Sequence, residues 1–171
     1  MALPGLKGMH HVGVTVPAIE EAVAFFVDVI GCERVLDLPA VSGEGTWMRE
    51  HLGVHPDAVL EAITFLRCGQ GANIELFRWS SPDRRTEAPG NADIGSTHLA
   101  FEVDDVAAAV AVLRERGIEV LGEPKLVEEG PRAGVVWVYV RAPWGLQLEL
   151  ISPPTATIGG RELWSPSEPA A

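Results

Sequence analysis

Basic charge is scarce in this chain, with 13 Lys and Arg against 24 Asp and Glu and a formal net charge of −11. That balance argues against nucleic acid or an anionic membrane as the main partner, because both are held by a basic face. A small anionic substrate met by one or two local arginines stays open. The sequence also lacks an apolar run of about 18 residues, the length that crosses a bilayer, and a cationic start leading into an apolar stretch. The expectation is a cytoplasmic protein with no membrane partner. Cysteine is limited to Cys32 and Cys68, which are isolated and show no metal-type spacing. Both are expected to be buried thiols that pack as small hydrophobes, not a disulfide framework. What is present is the balance of a folding chain, 47% hydrophobic and 22% charged over 171 residues. This suits one domain and is short for two ordinary ones.

Internal similarity subdivides that domain. Residues 11–31 read HVGVTVPAIEEAVAFFVDVIG and residues 98–117 read HLAFEVDDVAAAVAVLRERG. Each starts at His, alternates through a strand to Val, turns at Pro or Asp, and runs through an Ala- and Val-rich helix to Gly. The ends match too, IELFRWSSP at 74–82 and LELISP at 148–153. The chain therefore reads as one domain over 8–153, with module 1 at about 8–82, a polar linker at 83–95 and module 2 at about 96–153. A tail, 154–171, follows, and it is expected to be weakly ordered unless Leu163 and Trp164 dock.

Each module reads as a strand, a helix and further strands. In the first helix Ile19, Val23, Phe26 and Ile30 recur at three- and four-residue spacing, one buried stripe that Gly31 ends. In the second, Asp104-Asp105 is the cap, and Val106, Val110 and Leu113 precede Gly117. Strands are expected near 33–38, 59–67, 72–79, 119–121, 135–140 and 146–151, and MREHLGV suits a short helix.

Strand alternation then sorts the polar residues. In HVGVTV the valines at 12, 14 and 16 face the helix, so His11, Gly13 and Thr15 face the other way. In module 2 Leu99, Phe101 and Val103 form the apolar face and leave His98 and Ala100 open. Glu75 lies between Ile74 and Leu76, and Glu149 between Leu148 and Leu150, so both carboxylates alternate out of apolar strands. If the modules pair about a pseudo-twofold axis, His11, Glu75, His98 and Glu149 meet at one point. Two imidazoles with two carboxylates suit one divalent metal, Zn, Ni, Co, Mn or Fe, which would also relieve the repulsion between the carboxylates. His10 reads as a supporting hydrogen-bond partner or an exposed residue. Trp47, Arg49, Trp137 and Trp144 are candidates to line a substrate pocket, and Arg67, Arg78 and Arg141 are further cations that an anionic substrate could meet.

HVGVTVPAIEEAVAFFVDVIGC, NIELFRW, THLAFEVDDVAAAVAVLRERG and APWGLQLELISP together resemble the vicinal oxygen chelate superfamily, which includes glyoxalase I, methylmalonyl-CoA epimerase, extradiol dioxygenases and the bleomycin and fosfomycin resistance proteins. The last motif is similar to the family ending DPxGxxxEL, with Ala142 in place of Asp. The resemblance implies an α+β fold of paired βαβββ modules, a U-shaped mixed sheet around a metal, with helices on the outer face. It maps the four metal positions of glyoxalase I onto His11, Glu75, His98 and Glu149, and makes Glu149 the proton-transferring base. It implies a metal-dependent lyase or isomerase of the glyoxalase or epimerase branch, chelating adjacent oxygens of a small substrate and moving a proton through an enediolate or enolate. The alternatives are an extradiol-type dioxygenase and a small-molecule binding or drug-resistance protein without turnover. The resemblance also implies a homodimer. At the position of the further Glu of methylmalonyl-CoA epimerase stands Trp47 or Met48, which argues against two-base epimerisation of a CoA thioester.

Overall fold

The computed structural model of the chain describes residues 4–69, 71–153, 157–158 and 161–162. Two compact units, Met1–Thr86 and Glu87–Ala171, divide it.

In the first unit, strand β1 (His11–Thr15) is followed by helix α1 (Ile19–Ala24), which continues into a π-helical segment (Phe25–Ile30) ended by Gly31 at φ 93°. Strand β2 (Glu33–Leu38), helix α2 (Trp47–Leu52) and strands β3 (Val59–Arg67) and β4 (Asn73–Ser80) complete it. The sheet order is β1-β4-β3-β2, with β1 parallel to β4 and the other neighbours antiparallel. The register places Val12 and Val14 opposite Ile74 and Leu76, so the valines share one face with the buried residues of the last strand. Val14, Val16, Ile74, Leu76 and Leu66 are buried there with Val23, Phe25 and Phe26 from the helix. The expected helical stripe is thus widened. The π turn inserts an extra residue per turn and brings Phe25 into the core beside Phe26, while Ile19 and Ile30 are only half-buried.

The cysteines overturn the expectation of free thiols, because Cys32 and Cys68 form a disulfide with Cα atoms 4.3 Å apart. The reason is the register of β2 on β3. Glu33 lies opposite Arg67, so the next residue out on each strand, 36 positions apart in sequence, meets its counterpart directly.

The second unit repeats the plan. Strand β5 (His98–Glu102), helix α3 (Val106–Glu115) and strands β6 (Glu119–Leu126), β7 (Val136–Arg141) and β8 (Gln147–Ser152) build a sheet of order β5-β8-β7-β6, again with the outer pair β5 and β8 parallel. Asp105 caps α3 by accepting a hydrogen bond from the Ala108 amide at 3.0 Å. Val106, Val110 and Leu113 are buried, as their spacing predicts, against Val138, Val140, Leu148 and Leu150. β6 runs further than the three residues expected, past an irregularity between Leu121 and Lys125. Within the tail, Thr157–Ile158 (β9) pairs antiparallel with Arg161–Glu162 (β10), and Leu163 and Trp164 lie outside the described residues. Among the described residues no helix is long and apolar enough to cross a membrane.

Candidate active site

Each unit places one histidine and one glutamate on adjacent parallel strands, on the face turned away from its helix. In the first unit His11 lies opposite Asn73 and Gly13 opposite Glu75, so His11 and Glu75 point the same way one step apart. His11 Nε2 and Glu75 Oε2 are 3.0 Å apart. In the second unit His98 lies opposite Gln147 and Ala100 opposite Glu149, and His98 Nε2 is 3.2 Å from Glu149 Oε2. The environments match as well. Both imidazoles are 38% exposed, and the carboxylates are 13% and 11% exposed. These are carboxylates sunk in apolar strands, with the edge of a histidine for company.

The neighbours of the glutamates on the parallel strands are small, Gly13 beside Glu75 and Ala100 beside Glu149. At Gly13 the smallness admits Phe77, because a Cβ there would sit 2.8 Å from Cε2 of that ring, which lies over the glycine. Across the sheet each glutamate faces an aromatic residue, Phe65 opposite Glu75 and Tyr139 opposite Glu149. Each ring stands edge-on to its histidine, with centroids 5.6 Å apart for His11 and Phe65 and 5.3 Å for His98 and Tyr139. Sequence reasoning missed both rings. The usable signal was that the chain's single tyrosine takes the repeat position held by phenylalanine in the other module.

The two half-sites differ in their further partners. His11 Nδ1 lies 2.8 Å from His10 Nδ1, so one ring donates to the other and His11 turns its Nε2 to Glu75. This is the supporting hydrogen bond anticipated for His10. Glu149 instead has Arg132, whose Nη2 is 3.9 Å from Oε1, the oxygen turned away from His98. Arg132 sits in the turn between β6 and β7 and had not been singled out.

The candidate pocket residues are distributed unevenly. Trp137 packs edge-on against Tyr139 at 5.4 Å and so adjoins the His98 half-site. Trp144 lies in the turn between β7 and β8, off the strand that carries Glu149. Trp47 and Arg49 are exposed on α2, where Trp47 contacts His51 with ring centroids 4.9 Å apart. Of the other arginines, Arg67, Arg78 and Arg141 are paired with Glu33, Glu61 and Glu119.

An imidazole and a carboxylate are donor types that a divalent metal takes. Two ligands held at about 2.0–2.2 Å from one ion are separated by about 3.0 Å at a right angle and about 3.4 Å at the tetrahedral angle. The His–Glu separations of 3.0 and 3.2 Å, the length of an ordinary imidazole–carboxylate contact, are compatible with that spacing. Each unit supplies two donors. Among the described residues no group of three or more His, Cys, Asp or Glu side chains is gathered to hold a metal ion.

Comparison with known proteins agrees with the fold. Residues 10–139 match the model of the Glyoxalase/Bleomycin resistance protein/Dioxygenase superfamily, and the chain belongs to that family. It is 45% identical over 153 residues to the 2-epi-5-epi-valiolone epimerase of an Actinomyces species, covering 89% of this chain and 82% of that one. It is also 31% identical over 120 residues to mitochondrial methylmalonyl-CoA epimerase of Bos taurus, covering 69% and 59%. Among solved structures, a glyoxalase family protein from Bacillus cereus superposes with a TM-score of 0.70 at 24% identity, covering 90% of this chain and 98% of that one. The relatives support an isomerase of the epimerase type.

Proposed function

We propose that this chain is a metal-dependent epimerase of a small hydroxyketone, with Glu149 as the base that moves the proton next to the carbonyl. His11, Glu75, His98 and Glu149 are the proposed ligands of one divalent ion, Zn, Ni, Co, Mn or Fe, which would neutralise charge on the substrate's adjacent oxygens and so acidify the carbon. The observation that carries the reading is the repeated His–Glu pair on adjacent parallel strands, at 3.0 and 3.2 Å, each carboxylate nearly buried among apolar neighbours. Such a carboxylate is poorly hydrated, and it needs little reorganisation to take a proton.

The kinship with 2-epi-5-epi-valiolone epimerase supplies the substrate class. In a hydroxyketone the carbonyl and its neighbouring hydroxyl are two chelating oxygens, and the hydrogen on the hydroxyl-bearing carbon next to the carbonyl is the acidic one. The proposal extends to a cytoplasmic homodimer with a small-molecule substrate. It is tested by incubating the metal-loaded protein with 2-epi-5-epi-valiolone in D2O and following the proton spectrum. A second diastereomer carrying deuterium at the epimerised carbon is expected, with Glu149→Gln slower by about 10²-fold or more. A ketone that binds and comes back unchanged and unlabelled would sink the reading in favour of a binding protein.

A further inference from the structure

The two half-sites share a histidine, a glutamate and an aromatic ring, yet among the described residues only one of the two carboxylates has an arginine. Glu75 has His11 as its ion-pair partner among the described residues. Glu149 has His98 at Oε2 and Arg132 at Oε1. The arginine is held by a defined turn. Val127 and Val135 pair across it, with the Val127 amide donating to the Val135 carbonyl at 2.9 Å and the Gly134 amide to the Val127 carbonyl at 2.8 Å. Gly130 and Gly134, at φ 85° and 90°, supply the left-handed positions that fold the turn over the sheet.

The contact with Glu149 is electrostatic only. At 3.9 Å it is beyond hydrogen-bond length, and the Arg132 side chain is 47% exposed. Other arginines are committed: Arg34 to Glu20 and Asp37, Arg114 to Glu123 and Arg141 to Glu119, at 2.7 to 3.0 Å. Among the described residues the Arg132 guanidinium makes no hydrogen bond. Its fork of donors therefore stands beside the base, attracted to it and free to bond a third group.

We propose that Arg132 is a substrate-contacting residue that follows the charge of the proton transfer. This rests on Glu149 being the base. In the step, the C–H bond next to the carbonyl breaks and its proton goes to Glu149. The C–H electron pair becomes the carbon–carbon double bond of the enolate, and the carbonyl π pair moves to oxygen. One negative charge leaves the carboxylate and appears on the substrate, with no oxidant or reductant involved. Arg132 loses its ionic partner as the substrate oxygen acquires the charge, so its donors transfer from Glu149 to that oxygen, an interaction strongest in the transition state. Arg132 would thus also select substrates whose carbonyl is flanked by a second oxygen that a fork can span.

The test compares wild type, Arg132→Ala and Arg132→Lys in two assays. With 2-epi-5-epi-valiolone, Arg132→Ala is expected to lose about 100-fold in kcat with KM little changed, Lys to recover part of it, and guanidinium ion to rescue the alanine variant. Oxalate, a planar two-oxygen dianion, is titrated by tryptophan fluorescence into the same metal-loaded proteins, whose metal content is measured alongside. Oxalate affinity should fall at least tenfold in Arg132→Ala, and fall equally when the change is made in a Glu149→Gln background. Unchanged kcat and unchanged oxalate affinity would overturn the proposal, as would an oxalate effect that vanishes in the Glu149→Gln background, which would make Arg132 a residue acting through Glu149 alone. If wild type leaves the ketone unlabelled, the functional reading fails, and the oxalate comparison still decides whether Arg132 contacts an anionic ligand.

Discussion

Reduction of the Cys32–Cys68 bond is expected to lower the stability of the protein by about 4 kcal/mol. The bond closes a loop between residues 36 apart, which contains β2, α2 and all of β3. Opening the loop returns conformational freedom to the unfolded chain, and the chain-entropy estimate for a loop of this length gives about 4 kcal/mol at 25 °C. Native packing changes little, because Cys32 is only 4% exposed and its sulfur stays in the core on reduction. For a chain of this size about 2–4 °C of melting temperature follows each kcal/mol, so the shift should be about 8–15 °C. The assay is thermal unfolding by circular dichroism with and without a phosphine reductant, paired with thiol counting in denaturant. Two free thiols before reduction, or a melting temperature that reduction leaves in place, would refute the reasoning.

Two smaller perturbations probe the frames that hold the half-sites. Asp105→Ala removes the acceptor for the Ala108 amide and should cost about 1 kcal/mol, read as a 2–4 °C fall in melting temperature. At Asp37 the Arg34 guanidinium first, and the Thr64 hydroxyl second, hold the carboxyl below its usual value of 3.8. Its contribution is therefore complete above that value and lost as pH falls through the lowered folded-state value. Asp37→Asn keeps an acceptor for Thr64, so at pH 7 it should cost under about 1 kcal/mol for this half-exposed pair, and the difference from wild type should shrink below pH 3 in a urea titration series.

How much of this was legible from residues alone depended on the range of the interaction involved. The alternation in HVGVTV and the matching HLAFEV told the helix face from the open face, because a strand's period acts within a few residues. Glu75 and Glu149 were legible for the same reason, as charged residues flanked by buried ones. Asp105 and the short helix at 47–52 were local too. What failed was pairing between distant segments. Cys32 meets Cys68, Phe65 faces Glu75 and Tyr139 faces Glu149 through the registers of strands distant in sequence, two of them interrupted by irregularities between Arg34 and Leu36 and between Leu60 and Ala62, and composition does not encode those. Arg132 was missed because a turn's side chain has no periodicity to betray its direction. The π turn at Phe25–Ile30 escaped because its extra residue breaks the spacing by which a helix is recognised.

His11, Glu75, His98 and Glu149 are proposed to serve one metal together. The most direct test of that proposal is elemental analysis of protein purified without chelator or metal-binding tag, for wild type, His11→Ala and His98→Ala. Wild type is expected to hold about one equivalent of a divalent metal per chain, and either variant to lose at least tenfold in affinity, since each would remove a donor from the proposed ion. Wild type with no metal even after reconstitution, or a variant lacking either histidine that retains a full equivalent at unchanged affinity, would contradict the proposal.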